Sequence, residues 1–224
     1  MKEIEIVFLG ASTAFFEISE IIRQINKIKH TYKIITILDD NDDLHGKIMN
    51  NVMVSGGLSD VHKYQNCQFI FGIGSMKTRL IRHIIFNKLN LAPDRFATII
   101  HPSAVVDQSA KIGHGCIIHP GVCIGNDVTI HNFVVIAVNS AIGPFACIKD
   151  YAMITSLSVV LSNAIVGRSS FVGSCSCITE GVEIGAGTMV GAGTIVSRNL
   201  DNGVFVLGNP MRQINKVEID KELY

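Results

Sequence analysis

The sequence carries no excess of either charge, since 19 Lys and Arg residues balance 19 Asp and Glu residues. This balance gives no reason to expect a nucleic acid or an anionic membrane surface as partner. A long apolar run is also lacking, because the longest stretch, near residues 133–138, is far shorter than the ~20 residues of a membrane span. Residues 1–10 mix acidic and apolar side chains and lack a signal-peptide profile. We therefore expect a cytoplasmic protein without a membrane span.

Cysteine pairs with the spacing of a metal site are absent from the sequence. The six cysteines are scattered, and Cys175 and Cys177 stand two residues apart rather than in a CxxC arrangement. Cys116 falls in an inward position of the repeat described next, where a thiol acts as a small buried hydrophobic group. We therefore expect reduced cysteines in a cytosolic chain and no bound metal.

The most informative pattern is a period of six residues in the C-terminal half. It fits neither an α-helix, with about 3.6 residues per turn, nor a coiled coil, with about 3.5. It indicates a chain that turns a corner after every short strand, and such repeats are typical of a parallel β-helix. Ile or Val stands without exception at residues Ile100, Val106, Ile112, Ile118, Ile124, Ile130, Ile136, Ile142, Ile148, Ile154, Val160, Val166, Val172, Ile178, Ile184, Val190 and Val196.

Three such hexads are expected to complete one triangular coil, and the coils to stack at the inter-strand spacing of ~4.8 Å. A small or Val side chain stands four residues after nearly every member of the series, for example at Ala104 and Ser140. We expect it to point inward too, because a larger side chain would overfill the prism. Glycines directly after the aliphatic residue, such as Gly143 and Gly167, suit turns that need permissive dihedrals. The series predicts five to six uninterrupted coils.

The first hundred residues differ, because apolar runs alternate there with amphipathic stretches. We predict strands over residues 4–9, 33–38 and 69–73 and helices over residues 15–28 and 76–89. This alternation predicts a small parallel α/β unit of the Rossmann-like type ahead of an all-β region. The predicted division of the chain is an α/β domain over residues 1–97, a β-helix over residues 98–210 and a C-terminal tail over residues 211–224.

Candidate ligand residues follow the predicted strands, at the edge of the sheet where parallel α/β units bind ligands. Residues 10–12 form a turn that opens a helix and offers backbone N–H groups to phosphate. The carboxylates of Asp39 and Asp40 suit ribose hydroxyls, and a third turn covers residues 72–75. The G-x-G-x-x-G fingerprint is missing, because serine and phenylalanine stand at the later glycine places. These features favour a nucleotide sugar over a dinucleotide, and ordinary structural turns are the alternative.

Several short motifs together carry a resemblance to one family. They are Gly10-Ala11, Asp39-Asp40, Ile73-Gly74 followed by Arg79, IHPSA at residues 100–104, IGAGT at 184–188, VGAGT at 190–194 and Gly208-Asn209-Pro210. On these motifs, which span most of the chain, the sequence resembles the hexapeptide-repeat sugar acyltransferases of the sialic acid O-acetyltransferase and UDP-4-amino-sugar N-acetyltransferase kind (NeuD/PglD-like).

The resemblance implies a left-handed β-helix and a homotrimer with active sites between neighbouring subunits. It implies transfer of an acetyl group from acetyl-CoA to an amine or hydroxyl of a nucleotide-linked sugar in bacterial cell-surface glycan biosynthesis, such as a sialic acid or a bacillosamine-like sugar. The implied substrate-binding residues in the N-terminal domain are Gly10, Ala11, Ser12, Asp39, Asp40, Ile73, Gly74 and Arg79. The implied CoA-binding residues are Gly173, Gly185, Ala186, Gly191, Ala192, Asn209 and Pro210.

The sequence departs from this family at the chemistry. Acyl transfer needs a base that takes the proton of the attacking amine or hydroxyl, and histidine suits this role near neutral pH. The family places a histidine directly after an Ile-Gly pair, but here Gly143 is followed by Pro144 and Phe145, neither of which accepts a proton. A second family histidine falls on Met153, and a family asparagine falls on Ala137.

Residues 18 apart stack vertically in the predicted prism, and this suggests a substitute base. His131 and His114 lie one coil apart, at a corner that we expect Met153 to share, whereas His119 belongs to a different corner. We predict that His131, with His114, is catalytic; the alternative is an exposed turn histidine. Lys149, one coil above His131, is expected to be solvated or to pair with a phosphate or carboxylate.

Three hypotheses about function remain open from the sequence. The first is an active sugar acetyltransferase with an altered base. The second is a catalytically silent relative that binds a sugar nucleotide or acts as a scaffold, motivated by Pro144, Phe145 and Met153. The third is a hexapeptide acyltransferase for another acceptor, such as an amino acid; the serine acetyltransferases share the repeat but lack this N-terminal unit.

Overall fold

The computed structural model describes residues 3–76 and 78–217, so residues 218–224 of the predicted tail lie outside the described residues. The N-terminal unit contains five strands and two α-helices. They are β1 (Ile4–Leu9), α1 (Thr13–Ile28), β2 (Tyr32–Leu38), β3 (Ile48–Met49), β4 (Val52–Gly56), β5 (Gln68–Phe71) and α2 (Arg82–Leu89). Short 3-10 helices cover Asp42–Leu44, Leu58–Lys63, Arg79–Ile81 and Pro93–Arg95.

These strands form one sheet in the order β3-β4-β2-β1-β5. β1 pairs in parallel with both β2 and β5, which confirms the predicted parallel α/β unit. The helix predicted over residues 76–89 is shorter than expected, because α2 begins only at Arg82 after a 3-10 turn. The antiparallel β3–β4 hairpin was not predicted, although its two central residues, Asn50 and Asn51, have the positive φ that suits a tight hairpin turn.

From residue 99 the chain winds into a prism with three flat faces, each a parallel sheet of two-residue strands. The first face contains Ile99–Ile100, Ile117–Ile118, Val135–Ile136, Met153–Ile154, Phe171–Val172 and Met189–Val190, then Val204–Leu207 and the antiparallel Arg212–Lys216. The second face contains Val105–Val106, Cys123–Ile124, Ala141–Ile142, Val159–Val160, Cys177–Ile178 and Ile195–Val196. The third face contains Lys111–Ile112, Thr129–Ile130, Cys147–Ile148, Ile165–Val166 and Glu183–Ile184.

The register confirms that three hexads complete one coil. Ile124 pairs with Ile142 and Ile130 with Ile148, so strand partners are 18 residues apart. From Ile118 upward every Ile or Val of the series is at most 3% exposed. The second small residue is inward as well, and polar examples bond the neighbouring turn, as the Ser158 hydroxyl donates to the carbonyl of Gly173 at 3.0 Å.

Glycine is required at these corners for a different reason from the one predicted. Positive φ recurs every six residues from Gly115 to Gly193, at the third residue after each inward aliphatic residue, and most of these residues are not glycine. Gly143 and Gly167, which directly follow the aliphatic residue, do not have positive φ. A Cβ on Gly167 would lie 2.5 Å from the carbonyl oxygen of Ile184 in the next coil. These glycines are therefore required by the close approach of stacked coils.

We name the corners by the faces that they join. The first corner (residues 101–104, 119–122 and their equivalents 18 apart) joins the first and second faces, the second corner joins the second and third, and the third corner joins the third and first. The α/β unit covers the lower part of the first face, where Ile117 packs with residues of α1. It also covers the third corner, where Phe86 lies 4.7 Å from the ring of Phe133, which stacks on Tyr151.

Candidate functional site

A cavity of about 100 Å³ lies where the carboxyl edge of the α/β sheet meets the first face. We call it the turn cavity, because the turn of residues 72–74 after β5 forms one wall. The first turn of α1 contributes Ala14, and the prism contributes Met153 of the first face and His119 of the first corner. Two of the predicted substrate-binding residues, Ile73 and Gly74, therefore line this cavity.

The predicted phosphate turn at residues 10–12 is bonded internally. The N–H of Gly10 donates to the carbonyl of Leu38 at 2.8 Å, and the N–H of Ser12 donates to the carbonyl of Gly10. The N–H of Ala11 donates to a carboxylate oxygen of Asp39 at 2.7 Å. The amides expected to bind phosphate therefore already have hydrogen-bond partners. The N–H groups in the first turn of α1, where Ala14 borders the turn cavity, are the other donors at this helix N-terminus.

The two carboxylates after β2 also have internal partners. Asp39 accepts from the N–H of Asn41 at 2.9 Å with its second oxygen. Asp40 accepts from the N–H of Leu58 at 2.7 Å. Asp39 therefore ties the end of β2 to the turn after β1, and Asp40 ties it to the segment after β4. Carboxylate oxygens retain further lone pairs after one bond each, so these contacts are compatible with a ligand hydroxyl.

Two buried arginines follow the turn of residues 72–74, and one of them, Arg82, lines the turn cavity. Arg79 is 6% exposed; it donates to the carbonyl of Met76, and its Nε has no hydrogen-bond partner among the described residues. Arg82 is fully buried, lines the turn cavity and donates to the carbonyls of Ile73 and Tyr151. Burial lowers the pKa of Arg79 and lowers that of Arg82 to about 10, so Arg82 stays protonated at neutral pH. Arg82 joins the turn to the third corner.

The predicted base His131 lies in a separate cavity of about 400 Å³ at the third corner. Two predicted CoA-binding residues, Gly185 and Ala186, line this third-corner cavity together with the basic side chains of Lys149 and Arg168. The Nε2 of His131 lies 3.7 Å from the sulfur of Cys147. His114 is exposed one coil below. The structure thus places His131 beside part of the predicted cofactor site but not beside the turn cavity.

The expectation that His131 and Met153 share a corner is wrong. Met153 lies in a strand of the first face, where it pairs with Val135 and Phe171. Its side chain lines the turn cavity, which His131 does not reach. The corner consists of the four residues after Ile148, and Met153 is the first residue of the next strand.

A third cavity, of about 250 Å³, lies higher on the first face and is largely apolar. This first-face cavity contains the predicted CoA residues Gly173, Gly191 and Ala192, beside Phe171 and Phe205. It adjoins the turn cavity, because Phe171 is the strand partner of Met153. The remaining predicted CoA residues, Asn209 and Pro210, are exposed in the turn between the last two strands of the first face and line none of these cavities.

The positions that depart from the family pattern do not meet within one chain. Pro144 and the exposed Phe145 belong to the second corner, Ala137 to the first corner and Met153 to the first face. Ala137 and Pro144 therefore border opposite edges of the second face. A groove that contains all three must be completed by another molecule.

Sequence reasoning missed three titratable side chains of the turn cavity, Glu17, Arg82 and His119. The one that the prism contributes is His119. It is 8% exposed, and burial lowers its pKa, with the neighbouring His101 lowering it further. The repeat correctly assigned His119 to its corner, but the hexad pattern does not reveal which corner the α/β unit covers. Within the described residues no three His, Cys, Asp or Glu side chains are grouped to hold a metal ion, and no helix there is long and apolar enough to cross a bilayer.

Comparison with known proteins agrees with this architecture. The profile of the GMPPB C-terminal domain family matches residues 99–206, and no curated protein sequence matches the chain. A variant of perosamine N-acetyltransferase from Caulobacter crescentus, in complex with CoA and GDP-perosamine, is 24% identical, with a TM-score of 0.82 over 95% of this chain and 97% of that chain.

Two further structures are similar to the chain. The acetyltransferase domain of PglB from Neisseria gonorrhoeae, in complex with acetyl coenzyme A, is 21% identical, with a TM-score of 0.82 over 95% of this chain and 100% of that chain. The N-acyltransferase AntD from Bacillus cereus, in complex with dTDP and coenzyme A, is 23% identical, with a TM-score of 0.51 over 54% of this chain and 81% of that chain. The chain therefore has the fold of sugar acyltransferases of the hexapeptide-repeat type over nearly its whole length.

Proposed function

We propose that the chain transfers an acetyl group from acetyl-CoA to an amine or hydroxyl of a nucleotide-linked sugar, as a step in cell-surface glycan biosynthesis. The observation that carries this proposal is a pair of adjoining cavities on the first face, one at the predicted sugar-nucleotide turn and one at predicted CoA residues. Met76, in the segment after β5, lines the upper cavity, so one segment contacts both. Structures of this fold that bind CoA together with GDP-perosamine support the assignment.

The donor side of the proposal is the upper part of the prism. The first-face cavity, walled by Phe171, Met189 and Phe205, offers the apolar surface that an extended thioester arm needs. The third-corner cavity contains Lys149 and Arg168, which suit phosphate groups, alongside the carboxylates of Asp150 and Glu183. The proposed CoA residues remain Gly173, Gly185, Ala186, Gly191, Ala192, Asn209 and Pro210. Several of these glycines are also required by coil stacking. The side chains that line the cavities are therefore stronger support for CoA binding than the glycine motifs are.

The acceptor side is the carboxyl edge of the sheet in the Rossmann-like unit over residues 1–97. The proposed sugar-nucleotide residues are those predicted from sequence, with the diphosphate near the first turn of α1 and the sugar directed into the turn cavity. The proton acceptor predicted from the sequence is His131, with His114. The His131 ring shares the third-corner cavity with Lys149, on the proposed donor side of the molecule and away from the turn cavity.

The proposed assembly is a homotrimer of left-handed prisms, formed from residues 98–210, in the cytoplasm. The second face supports it, because its outward residues are uncharged and several remain exposed, with Val105 at 65% and Ile195 at 40%. Phe145, Leu157 and Leu161 add exposed apolar surface at the corners that border this face. Contact between second faces would bring the first corner of one subunit near the second corner of another.

The decisive experiment incubates the purified protein with acetyl-CoA and a panel of nucleotide-linked amino sugars and follows the release of free thiol. We expect release that depends on the acceptor. Ala192→Trp fills the first-face cavity and should raise KM for acetyl-CoA at least tenfold, whereas Ala92→Trp, at an exposed site outside the described cavities, should not. Equal kinetics of both variants would contradict the proposed donor site.

Pro144 supports a second function, a catalytically silent protein that binds a sugar nucleotide or joins an active trimer. This function predicts binding of nucleotide sugars by calorimetry without thiol release. Acceptor-dependent acetyl transfer by the purified chain would exclude it.

A further inference from the structure

We propose that His119 is the general base of the acyl transfer, at the acceptor side of the first face. The proposal rests on the proposed function, because it assigns the residue that takes the proton from the attacking sugar amine or hydroxyl. The first observation is the position of the ring, which lines the turn cavity opposite the turn of residues 72–74 and the first turn of α1. Both of these segments belong to the edge at which the sugar nucleotide is proposed to bind.

A second observation is the vertical column to which His119 belongs. Residues of the first corner that are 18 apart are His101, His119, Ala137, Thr155 and Gly173, and their backbones are bonded coil to coil. Thr155 and Gly173 line the first-face cavity. With ~4.8 Å between coils, Thr155 lies ~10 Å and Gly173 ~14 Å above His119. His119 is therefore at the acceptor end of a column whose upper end borders the proposed donor site.

The contrast between His101 and His119 separates a structural from a reactive histidine. Both ring nitrogens of His101 are bonded, Nδ1 to the hydroxyl of Ser103 at 2.8 Å and Nε2 to the side-chain oxygen of Gln24 at 2.7 Å. No hydrogen bond ties the His119 ring to another residue of the described chain. Its nitrogens are thus available to a ligand in the cavity.

The electrostatic surroundings keep the His119 ring neutral, as a base requires. Burial is the main cause of its lowered pKa, and repulsion from His101 in the coil below acts in the same direction. Two other charged groups line the same cavity, Glu17 of α1 and Arg82 of α2. Glu17 is exposed at the cavity rim and Arg82 is engaged with backbone carbonyls.

The reaction balances without a further reactant. The lone pair of the sugar nitrogen or oxygen attacks the thioester carbon, a C–N or C–O bond forms, and the C–S bond breaks. The proton of the amine or hydroxyl passes to a ring nitrogen of His119 and from there to the departing thiolate of CoA. His119 thus replaces the missing family histidine from a position one coil below Ala137.

The experiment compares His119→Ala and His119→Gln with His131→Ala and with His30→Ala, an exposed control. We expect kcat of both His119 variants to fall at least about 100-fold, with KM for the nucleotide sugar changed less than about threefold. The rate of the wild-type protein should fall as acid protonates His119, at a pH below the ordinary histidine range. Melting curves establish that each variant is folded, and His119→Gln serves if the alanine variant is not.

Each outcome has a definite meaning. If the wild-type protein is active and both His119 variants keep more than a third of its kcat, or if only His131→Ala abolishes turnover, the assignment of His119 is overturned and the proposed function stands. If the wild-type protein transfers acetyl groups to no acceptor, the proposed function fails and the assignment fails with it. Loss of sugar-nucleotide binding in both folded His119 variants would assign His119 to binding and overturn its role as base.

Discussion

The three faces of the prism share one inward repeat but differ in their outward residues. The outward residues of the first face are apolar and, in the lower coils, buried by the α/β unit, as Ile117 shows at 2% exposure. Those of the second face are also apolar, but Val105 and Ile195 remain open. The third face mixes apolar residues with charged ones, such as Lys111 and Glu183. The inward residues therefore determine the prism, whereas the outward residues differ according to what packs on each face.

This difference explains where the cavities lie. A face that is covered along only part of its length has a border between covered and open coils, and the first face has this border at Met153 and Phe171. The turn cavity lies at the covered side of this border, and the first-face cavity lies at the open side. The outward residues of the second face are exposed toward its ends and half-buried between them, and we propose this face for contacts between subunits.

Substituting aspartate at the outward position of each face tests the comparison, and Ile117→Asp should have the largest effect. The carboxylate would be buried against α1 without a partner, at a cost of about 3–5 kcal/mol. Urea denaturation of the purified variant measures this loss in the free energy of unfolding. A stability within about 0.5 kcal/mol of the wild type would show that the α/β unit does not pack on the first face as described.

On the second face, Val159→Asp should leave the fold of the subunit intact and dissociate the proposed trimer, because it places like charges together in the proposed contact. Light scattering after size-exclusion chromatography measures the mass. Thr129→Asp, at the matching outward position of the third face, should remain trimeric and lose less than about 0.5 kcal/mol of stability. A trimeric Val159→Asp variant, or a wild-type monomer, would contradict the assignment of the second face.

The smallest expected effect concerns the histidines of the first corner. Burial lowers the pKa of His101 and of His119, so the unfolded chain binds more protons than the folded chain as the pH falls through the ordinary histidine range. Stability is therefore present above that range and decreases on acidification through it. Melting temperatures across this interval should decrease less for His119→Gln than for the wild type.

Most of the fold was predictable because the hexad is a strict local rule. One inward Ile or Val in every six residues determined the number of coils, and the structure confirms its register from Ile118 to Val196. The β1, α1 and β2 segments followed from periodicity in the same way. The role of Gly167 was misassigned, because the contact that requires glycine comes from Ile184 in the next coil. Such a contact between coils leaves no trace in the local sequence pattern.

The candidate site was predictable only in part, because it depends on the packing of the two units. Ile73 and Gly74 were identified by their place after a strand, and the structure brings them to a cavity. Their partner there, His119, belongs to another unit, and sequence gave no sign of which corner α1 and the turn would cover. Asp39 was identified as a ligand residue, but its nearest role is to hold the N–H of Ala11.

The 18-residue repeat distance has a consequence for how such a chain can change its length. An insertion or deletion of one complete circuit of 18 residues would preserve both the inward series and the face on which each later outward residue lies. Six or twelve residues would keep Ile and Val inward but move every later outward residue to another face, and a number not divisible by six would turn core residues toward water. Adding or removing a circuit between His119 and Gly173 would therefore shift the donor pocket along the axis by a fixed step of ~4.8 Å. The distance between the proposed acceptor site and the proposed donor site can therefore change only in steps of one coil.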